Sequence, residues 1–353
     1  MSQSAITQLQ LDSLPLVSIL INNYNYSRFL KAAIDSALNQ TYPHIEVVVV
    51  DDGSTDQSQA IITSYGSRIV PVLKPNGGQA SAFNAGFEHS KGDILFFLDS
   101  DDTFSPDKVE KMVDLFAQLT PNNSSILIFN ALAAIDEHGS PLDVDPLSGS
   151  CEWRDLHRLN DQSDLLNKTL TRISTSAEVY KHATKYRYIP YLASPTSGFT
   201  MTRTLAEQVF PLPSQNVKTS ADDFLVKAAS LSGDIYATNG VLTQYRIHGN
   251  NNWYGSKKPI QKSFLDALDE FLNFKLVSSG RKPVFSYFNS IHAQVYYRMH
   301  YNSPHYRARE LLKISAKAVS WHINPRTIKF FVKSVLLAGY YRINSVNSFS
   351  RTN

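Results

Sequence analysis

The first 125 residues alternate between short apolar runs and longer amphipathic segments. The apolar runs, rich in β-branched residues, lie at 15–21, 45–50, 69–73 and 93–98. Between them are segments such as 27–43, where apolar residues recur every three to four positions, the period of a helix. The runs are continuous in apolar character, which is typical of strands covered on both faces. The pattern therefore predicts an α/β fold with a mostly parallel, doubly wound sheet and helices on both faces.

The remainder of the chain has a weaker pattern. Its ordered segments are predicted to be a strand at 124–135, a helix around 221–231, and extended segments at 194–202 and 235–249. From Ser263 onward the pattern is helical, aromatic and basic.

One helix start is predicted from local chemistry. The second apolar run is followed by a polar turn in which Ser54 and Gln57 have the spacing of a capping box. We therefore expect a helix to begin here with Ser54 as its N-cap.

Charge is divided unevenly along the chain. The net charge is +3, yet from Lys257 to the end there are 16 Lys and Arg against 4 Asp and Glu, and before it 18 against 27. This change predicts a boundary near residue 250. We expect an N-terminal tail at 1–14, an α/β domain at 15–252 with halves at 15–125 and 126–252, and a C-terminal helical extension at 253–353.

Composition excludes several classes of protein. With 42% hydrophobic and 18% charged residues, the chain is typical of a globular protein. No window reaches the run of apolar residues that a membrane span needs, and the first residues lack the pattern of a signal peptide. Cys151 is the only cysteine, which excludes an intrachain disulfide and a cysteine metal cluster. We expect a cytoplasmic protein that does not bind nucleic acid.

Polar side chains follow three of the predicted strands. The first strand ends in Asn22-Asn23-Tyr24-Asn25, the second in Asp51-Asp52 and the fourth in Asp99-Ser100-Asp101-Asp102. Ligands of open parallel sheets bind outside the carboxyl ends of the strands. We therefore expect these groups to meet along one edge of the sheet.

The carboxylates after the fourth strand need a compensating group. Like charges at the edge of an apolar core are unfavourable unless a cation or a proton donor faces them. Asp99 and Asp101 are two residues apart in extended chain, so both could approach one hard cation. A calcium loop is excluded, because Phe104 stands where an EF-hand needs glycine and a strand leads in. A turn cap accounts for one carboxylate but not three, so we predict a divalent cation, Mn²⁺ or Mg²⁺.

A cation at this edge suggests a diphosphate ligand. The chain has no G-x-x-x-x-G-K-[ST] loop and no G-x-G-x-x-G after a strand, which argues against P-loop and dinucleotide sites. The turn Asn76-Gly77-Gly78 has two interpretations, a close approach of backbone to a ligand or a simple tight turn. The sequence leaves both open.

The ordered series of motifs resembles the nucleotide-binding half of the inverting family 2 glycosyltransferases. The resemblance rests on "VSILINNYN", "VVVVDDGSTD", "NGGQASAFNAGF" and "ILFFLDSDD", and runs from residue 15 to about residue 110. Two later segments also resemble the family: "SADDFL" its Glu/Asp-Asp motif and "YRIHGNN" its Arg-x-His segment. The resemblance covers about 15–252 and implies the GT-A fold, a Rossmann-like, mostly parallel sheet.

The resemblance also implies roles for individual residues. The implied nucleotide-sugar-binding residues are Asn22, Tyr24, Asp52, Gly78, Asn84 and Asp99. Tyr24 would stack on or flank the nucleobase with Asn22 nearby, and Asp52 would accept a hydrogen bond from the base. Asp99 would lie near the ribose. Asp101 would hold the metal, with His248 as a second ligand.

Two segments depart from the family pattern. The usual Pro-Thr-Tyr-Asn reads Asn22-Asn23-Tyr24-Asn25 here, and the usual Ala-Arg-Asn has Phe83 in place of arginine. The missing arginine removes one phosphate contact that the resemblance would otherwise imply.

The resemblance further implies that Asp223 is the catalytic base, with Asp222 beside it. An alternative is that Asp223 only caps the helix it begins. His248 has an alternative too, because a histidine before Gly-Asn-Asn also suits a plain turn. Ser197 and Gly198 could line the donor sugar.

We expect a metal-dependent, inverting glycosyltransferase that uses a UDP- or dTDP-linked sugar, in synthesis of a surface polysaccharide or glycoconjugate. The acceptor would be a saccharide or lipid-linked hydroxyl, and the basic segment 327–343 either lies on a membrane surface or packs as an ordinary helix. A sugar-nucleotide nucleotidyltransferase is one rival, although the chain lacks the basic glycine-rich loop it would need after the first strand. A non-catalytic sugar-nucleotide-binding module is the other.

Overall fold

The structure is a computed structural model that describes residues 14–119, 123–144, 169–215, 217–249, 251 and 262–285, together with Val332 and Val335. The chain divides into two compact units. One contains the described residues within Met1–Tyr180 and Ile189–Pro259, and the other those within Lys181–Tyr188 and Ile260–Asn353.

The first unit is built on one mixed sheet. Its strands are β1 Val17–Asn23, β2 Ile45–Asp51, β3 Val70–Leu73, β4 Ile94–Asp99, β5 Thr103–Phe104, β6 Ile126–Ile135, β7 Pro141–Leu142, β8 Thr171–Ser174, β9 Phe199–Thr202 and β10 Asp234–Arg246. The main order is β3-β2-β1-β4-β9-β6-β10-β5. The first four strands of this order are parallel, whereas β9 runs antiparallel to both β4 and β6. The predicted α/β fold with a mostly parallel sheet is confirmed.

Helices connect the strands. The α-helices in the described part of the chain are α1 Ser27–Leu38, α2 Ser58–Ser64, α3 Gln79–His89, α4 Lys108–Leu119, α5 Ser176–Tyr186, α6 Arg203–Val209, α7 Ala221–Ser232 and α8 Lys262–Ser278. In α1 the buried residues Phe29, Leu30, Ala33, Ile34 and Ala37 lie on one face, as their spacing predicts.

The core is centred on β1. All seven of its residues are buried, because β2 and β4 pair on either side and helices cover the faces. On one face, α3 packs closely where Gly86 meets Leu20 and Val50, and an added Cβ there would lie 3.5 Å from the Val50 side chain. The apolar runs form buried strands because burial removes their side chains from water.

The predicted helix start at Ser54 is wrong. Helix α2 begins at Ser58, and Gln57 rather than Ser54 is the residue that precedes it. The Ser54 hydroxyl instead accepts hydrogen bonds from the Asn23 side chain (3.1 Å) and the Asn25 backbone (2.8 Å). Ser54 thus joins the ends of two strands, a long-range role that a local capping pattern does not reveal.

In the second unit, α8 packs beside a short extended segment. The side chain of Asn273 accepts hydrogen bonds from the backbone of Val284 and Phe285, each at 2.9 Å. The predicted helical character after Ser263 agrees with α8, while the predicted extension beyond residue 285, including most of 327–343, lies outside the described residues. No helix that the structure describes, α8 included, is long and apolar enough to span a bilayer.

Candidate functional site

A cavity of about 400 Å³ opens at the carboxyl ends of β1, β2 and β4. The predicted site residues that line it are Asn22, Tyr24, Asp52, Gly78, Asp99 and Asp101. The rest of its lining comes largely from the segments around Tyr191–Thr196 and Lys218–Asp222. The polar ends of three strands, distant in sequence, therefore meet at one site, as parallel strands dictate.

Asp101 and His248 come together at the edge of this cavity. The Nε2 atom of His248 lies 3.0 Å from Oδ2 of Asp101. The histidine side chain is fully buried, whereas Asp101 is 18% exposed and lines the cavity. The rings of Tyr26, just before α1, and Phe29, within α1, pack against the imidazole at centroid distances of 5.6 and 5.1 Å. The imidazole is thus held in position with Nε2 toward the carboxylate.

The pair suits a divalent cation that a ligand helps to hold. The two atoms are at hydrogen-bond distance, 3.0 Å. Neighbouring donors around an octahedral cation are also about 3.0 Å apart when each bond is about 2.1 Å. No cluster of three or more His, Cys, Asp or Glu placed for a metal occurs among the described residues. Hard cations with few protein ligands are commonly completed by water and by phosphate oxygens. The residues present therefore fit a cation shared with a diphosphate.

Arg246 and Asp102 stabilise the turn that carries Asp101. The Arg246 backbone donates to the Asp102 carboxylate at 2.8 Å, and its guanidinium donates to the Asp101 carbonyl at 2.7 Å. Burial, followed by the charge of Asp101, raises the pKa of Asp102 well above its ordinary value. Asp102 shapes the turn from inside the protein. Arg246, which the Arg-x-His resemblance marked only as part of a segment, supplies the positive charge beside these carboxylates.

Asp99 faces the cavity from the end of β4. Its backbone N–H donates to the Ser197 hydroxyl at 3.0 Å. Burial and the charge of Asp101 raise the pKa of Asp99 well above its ordinary value. Ser197 is itself buried behind the wall, and the neighbouring Pro195 and Thr196 are the residues that line the cavity.

Lys108 is a buried residue that no pattern in the sequence singles out. Its ammonium donates to the Ser197 carbonyl at 2.6 Å and to the Thr243 hydroxyl at 2.8 Å, and lies 3.9 Å from the centre of the Phe104 ring. Burial lowers its pKa well below the ordinary value. Lys108 ties together the segments behind Asp99, so it acts on the site through its neighbours.

The Asp52 carboxylate holds the Asn76–Gly78 turn. It accepts from the Gly77 N–H at 3.0 Å, from the Gly78 N–H at 2.7 Å and from the Lys74 ammonium. Three donors leave little of its accepting capacity for a ligand. Its predicted contact with a nucleobase therefore competes with a structural task.

Gly78 lies where two segments almost touch. Its φ is +86°, and an added Cβ would lie 2.7 Å from the Cα of Lys218. The next residue, Gln79, donates from its backbone to the Lys218 carbonyl at 3.1 Å and accepts from the Ala221 N–H through its side chain at 2.9 Å. The glycine thus permits the turn to clamp the loop before α7.

Lys218 is exposed and is the one Lys or Arg among the described residues that line the cavity. It shares that lining with the carboxylates of Asp52, Asp99, Asp101 and Asp222. A cavity with this balance suits a cation and a phosphate together better than a phosphate alone.

Two adjacent carboxylates begin α7 and differ in environment. Asp222 lines the cavity and accepts from the Tyr191 hydroxyl at 3.0 Å. Burial, followed by the charge of Asp223, raises the pKa of Asp222 to about 6. Both oxygens of Asp223 face the ammonium of the buried Lys227, at 2.8 and 3.1 Å. The structure therefore favours Asp222 over the predicted Asp223 as the carboxylate that meets a substrate.

Asn84 is engaged away from the cavity. Its side chain donates to the Leu212 carbonyl and accepts from the Leu212 N–H, both at 2.8 Å. This pair of hydrogen bonds anchors the segment after α6 to α3. The placement gives no support to the predicted contact with a nucleotide sugar.

Comparison with known proteins identifies the family of this chain. Residues 18–141 match the family described as Glycosyl transferase family 2. An uncharacterized glycosyltransferase of Nostoc sp. is 33% identical over 240 residues, which are 67% of this chain and 66% of the relative. The chain belongs to glycosyltransferase family 2. The family 2 region thus covers the strands that form the cavity.

Other relatives of this family 2 chain are matched over shorter regions. An uncharacterized glycosyltransferase of Rickettsia prowazekii is 40% identical over 128 residues, 36% of this chain and 40% of the relative. The hyaluronan synthase of Pasteurella multocida is 44% identical over 108 residues, 30% of this chain and 11% of that protein. The matched regions cover less than two thirds of each of these relatives.

The family 2 fold also has a counterpart among solved structures. The crystal structure of S. aureus TarS 1-349 in complex with UDP-GlcNAc superposes with a TM-score of 0.50, covering 90% of this chain and 79% of that one. Identity is 14%, so the likeness bears on the fold, which is that of GT-A glycosyltransferases.

Proposed function

We propose that this chain transfers a sugar from a nucleoside-diphosphate sugar, UDP- or dTDP-linked, to an acceptor hydroxyl with inversion at the anomeric carbon. The observation that carries the proposal is that Asp222 lines the same cavity as Asp101, whose carboxylate pairs with His248. The cavity thus offers groups for a cation and a diphosphate together with a carboxylate whose pKa is raised.

The donor would lie along the strand ends. Tyr24, 48% exposed and lining the cavity, offers a ring face for the nucleobase. Asp99 would face the ribose. Asp101 and His248 would hold a divalent cation, Mn²⁺ or Mg²⁺, which when bound neutralises charge on the leaving diphosphate. Lys218 adds an exposed positive charge to the cavity lining, whereas Phe83, which stands in place of the family arginine, is buried and lies outside that lining.

Asp222 would act as the general base. It accepts the acceptor's hydroxyl proton as the acceptor oxygen bonds to the anomeric carbon, while the bond from that carbon to the diphosphate oxygen breaks and the electron pair leaves with the diphosphate. A carboxyl with a pKa of about 6 is ionised near neutrality, yet binds a proton more strongly than an ordinary aspartate. A positioned base typically contributes about 10²–10⁴-fold to the rate.

The acceptor would be a saccharide or lipid-linked hydroxyl of a surface polysaccharide or glycoconjugate. A lipid-linked acceptor would fit peripheral contact of the chain with a membrane from the cytoplasmic side. The excess of Lys and Arg after Lys257 supports contact with an anionic surface.

The experiment that tests the proposal is release of nucleoside diphosphate from a panel of sugar nucleotides with Mn²⁺ or Mg²⁺. The proposal predicts release from a UDP- or dTDP-sugar that stops with EDTA. A nucleotidyltransferase would instead release pyrophosphate from a nucleoside triphosphate and a sugar phosphate. A binding module would bind the donor without turnover even when acceptors are supplied.

A further inference from the structure

Asn22 has a buried amide without a partner. Both its Nδ2 and its Oδ1 are buried and make no hydrogen bond within the described part of the chain. The residue is 9% exposed and lines the cavity. Leaving both groups of an amide unpaired inside a protein is costly, because each group has lost its hydrogen bonds to water and gained none in return. An arrangement of this kind indicates a partner that arrives with a ligand.

The direction of the amide follows from the strand. Side chains alternate along β1, so Asn22 lies on the same face of the sheet as Leu20. That face is covered by α3, because Gly86 of α3 approaches Leu20. One turn earlier in α3, Ala82 lines the cavity together with Asn22. The amide therefore lies under the first turn of α3, at the inner end of the cavity.

Tyr24 lies two residues further along the chain, at the mouth of the same cavity. A planar base that packs on the exposed Tyr24 ring would direct one edge inward, toward Asn22. The Asn22 amide offers one donor and one acceptor side by side. The Watson–Crick edge of a pyrimidine such as uracil or thymine offers the complementary pair, whereas a phosphate offers acceptors alone and would leave Oδ1 unpaired.

We propose that the Asn22 amide binds the Watson–Crick edge of the donor's pyrimidine base, with N3–H donating to Oδ1 and an exocyclic oxygen accepting from Nδ2. This proposal rests on the proposed use of a UDP- or dTDP-sugar. It assigns the base edge to a position where the family pattern has proline, which has no side-chain donor or acceptor. In this assignment Asp52 does not bind the base, because its carboxylate already accepts hydrogen bonds from Lys74 and from the backbone of the Asn76–Gly78 turn.

The test is calorimetric binding of UDP, N3-methyl-UDP and 2′-deoxy-UDP to the full chain, as wild type and as Asn22→Leu. The wild type is expected to bind UDP about 10-fold or more tightly than N3-methyl-UDP, since methylation removes the donor. In Asn22→Leu the UDP affinity falls about 10-fold or more and the penalty for N3-methylation disappears. The penalty for 2′-deoxygenation stays the same in both proteins. Asn39→Ala, at an exposed position after α1, serves as the matched control and binds like wild type.

Stability separates this role from a structural one. An unpaired buried amide destabilises the protein when no ligand is bound. In the absence of UDP, Asn22→Leu is therefore expected to leave the midpoint of thermal unfolding unchanged or to raise it. Asn22→Ala gives the same comparison if leucine is too large for the site. A lowered midpoint in both variants with unchanged UDP affinity would overturn the proposal.

The remaining outcomes are also decisive. If the 2′-deoxy penalty disappears in the variant instead of the N3-methyl penalty, the amide binds the ribose and the base assignment is wrong. If the wild type binds UDP and dTDP and the variant binds each with the same affinity as the wild type, this inference fails while the proposed function stands. If wild type binds neither nucleotide, with or without Mn²⁺, both fail.

Discussion

The imidazole Nε2 of His248 lies 3.0 Å from the Asp101 carboxylate, although 147 residues separate the two in sequence. Asp101 follows β4 and His248 follows β10, so the fold of the whole first unit is needed to bring them together. The pair supplies the two protein donors of the proposed cation site.

Removing either donor should weaken metal-dependent donor binding. Asp101→Asn keeps the shape but loses the charge, and His248→Phe keeps the packing against Tyr26 but loses the nitrogen. We expect each to raise the Mn²⁺ concentration for half-maximal nucleoside-diphosphate release about 10–100-fold, as loss of groups around a metal site commonly does. Titration of Mn²⁺ at saturating donor measures this. An unchanged metal requirement in both variants would contradict the assignment.

Asp222 and Asp223 should respond differently to the same substitution. Asp222→Asn removes the proposed base and is expected to lower kcat about 10²–10⁴-fold with donor affinity retained. Asp223→Asn removes the counter-charge of the buried Lys227, so its main effect should be a lowered midpoint of thermal unfolding. Steady-state kinetics and thermal denaturation of the two variants make the comparison. A larger kcat loss in Asp223→Asn would restore Asp223 as the base.

The raised pKa of Asp222 predicts the pH profile. Burial raises this pKa from 3.8 to about 6, so the carboxylate is protonated below that pH and ionised above it. We expect kcat to fall about tenfold per pH unit below pH 6 and to level off above it. The free energy of unfolding should depend on pH in the opposite direction to kcat. Ionisation of Asp222 is disfavoured in the folded protein, so this group contributes more to stability as the pH falls from 6 toward 4. A kcat profile flat from pH 5 to 8 contradicts the role of Asp222.

Gly78 should tolerate substitution less than Gly66, another glycine with a positive φ. Gly78→Ala introduces a positive-φ penalty and a clash with the Lys218 backbone, whereas Gly66→Ala introduces the penalty alone, because nothing lies within 4 Å of its added Cβ. We expect Gly78→Ala to weaken UDP binding and to lower the thermal unfolding midpoint more than Gly66→Ala, whose cost is about 1–2 kcal/mol. Equal effects of the two substitutions would show that the clamp is unimportant.

Lys218 should contribute to donor affinity through its charge. Lys218→Ala is expected to weaken UDP binding about 3–10-fold at low salt, and the difference should shrink at high salt, because exposed charges are screened. Lys218→Met preserves the apolar stem and should behave like the alanine variant. Lys91→Ala removes an exposed lysine from elsewhere on the surface and provides the control. Loss of affinity that is independent of salt would argue against an electrostatic contact.

The strand exits were predictable from sequence because they depend on simple rules. Continuous apolar runs predicted β1, β2 and β4, and parallel pairing places their carboxyl ends at one edge. Asn22, Asp99 and Asp101 follow directly from that placement. Local pattern alone was enough here.

Partners contributed from distant sequence could not be predicted in the same way. The neighbouring carboxylates Asp222 and Asp223 are alike in sequence, and only the tertiary structure shows that Lys227 faces one while the cavity faces the other. Asn84 matches the family pattern, yet its hydrogen bonds to Leu212 depend on a segment 128 residues away. Ser54 was assigned to a helix cap because the sequence does not show its hydrogen bond with Asn23.

We propose that Asp222 and the Asp101–His248 pair act together in one cavity on a nucleotide sugar. The most direct measurement is nucleoside-diphosphate release from UDP- and dTDP-sugars with an acceptor mixture, in Mn²⁺ and in EDTA, for wild type and Asp222→Asn. This joint role predicts Mn²⁺-dependent release by the wild type, and donor binding with release lowered at least about 100-fold in the variant. Absence of donor binding by the wild type, with and without metal, would contradict it.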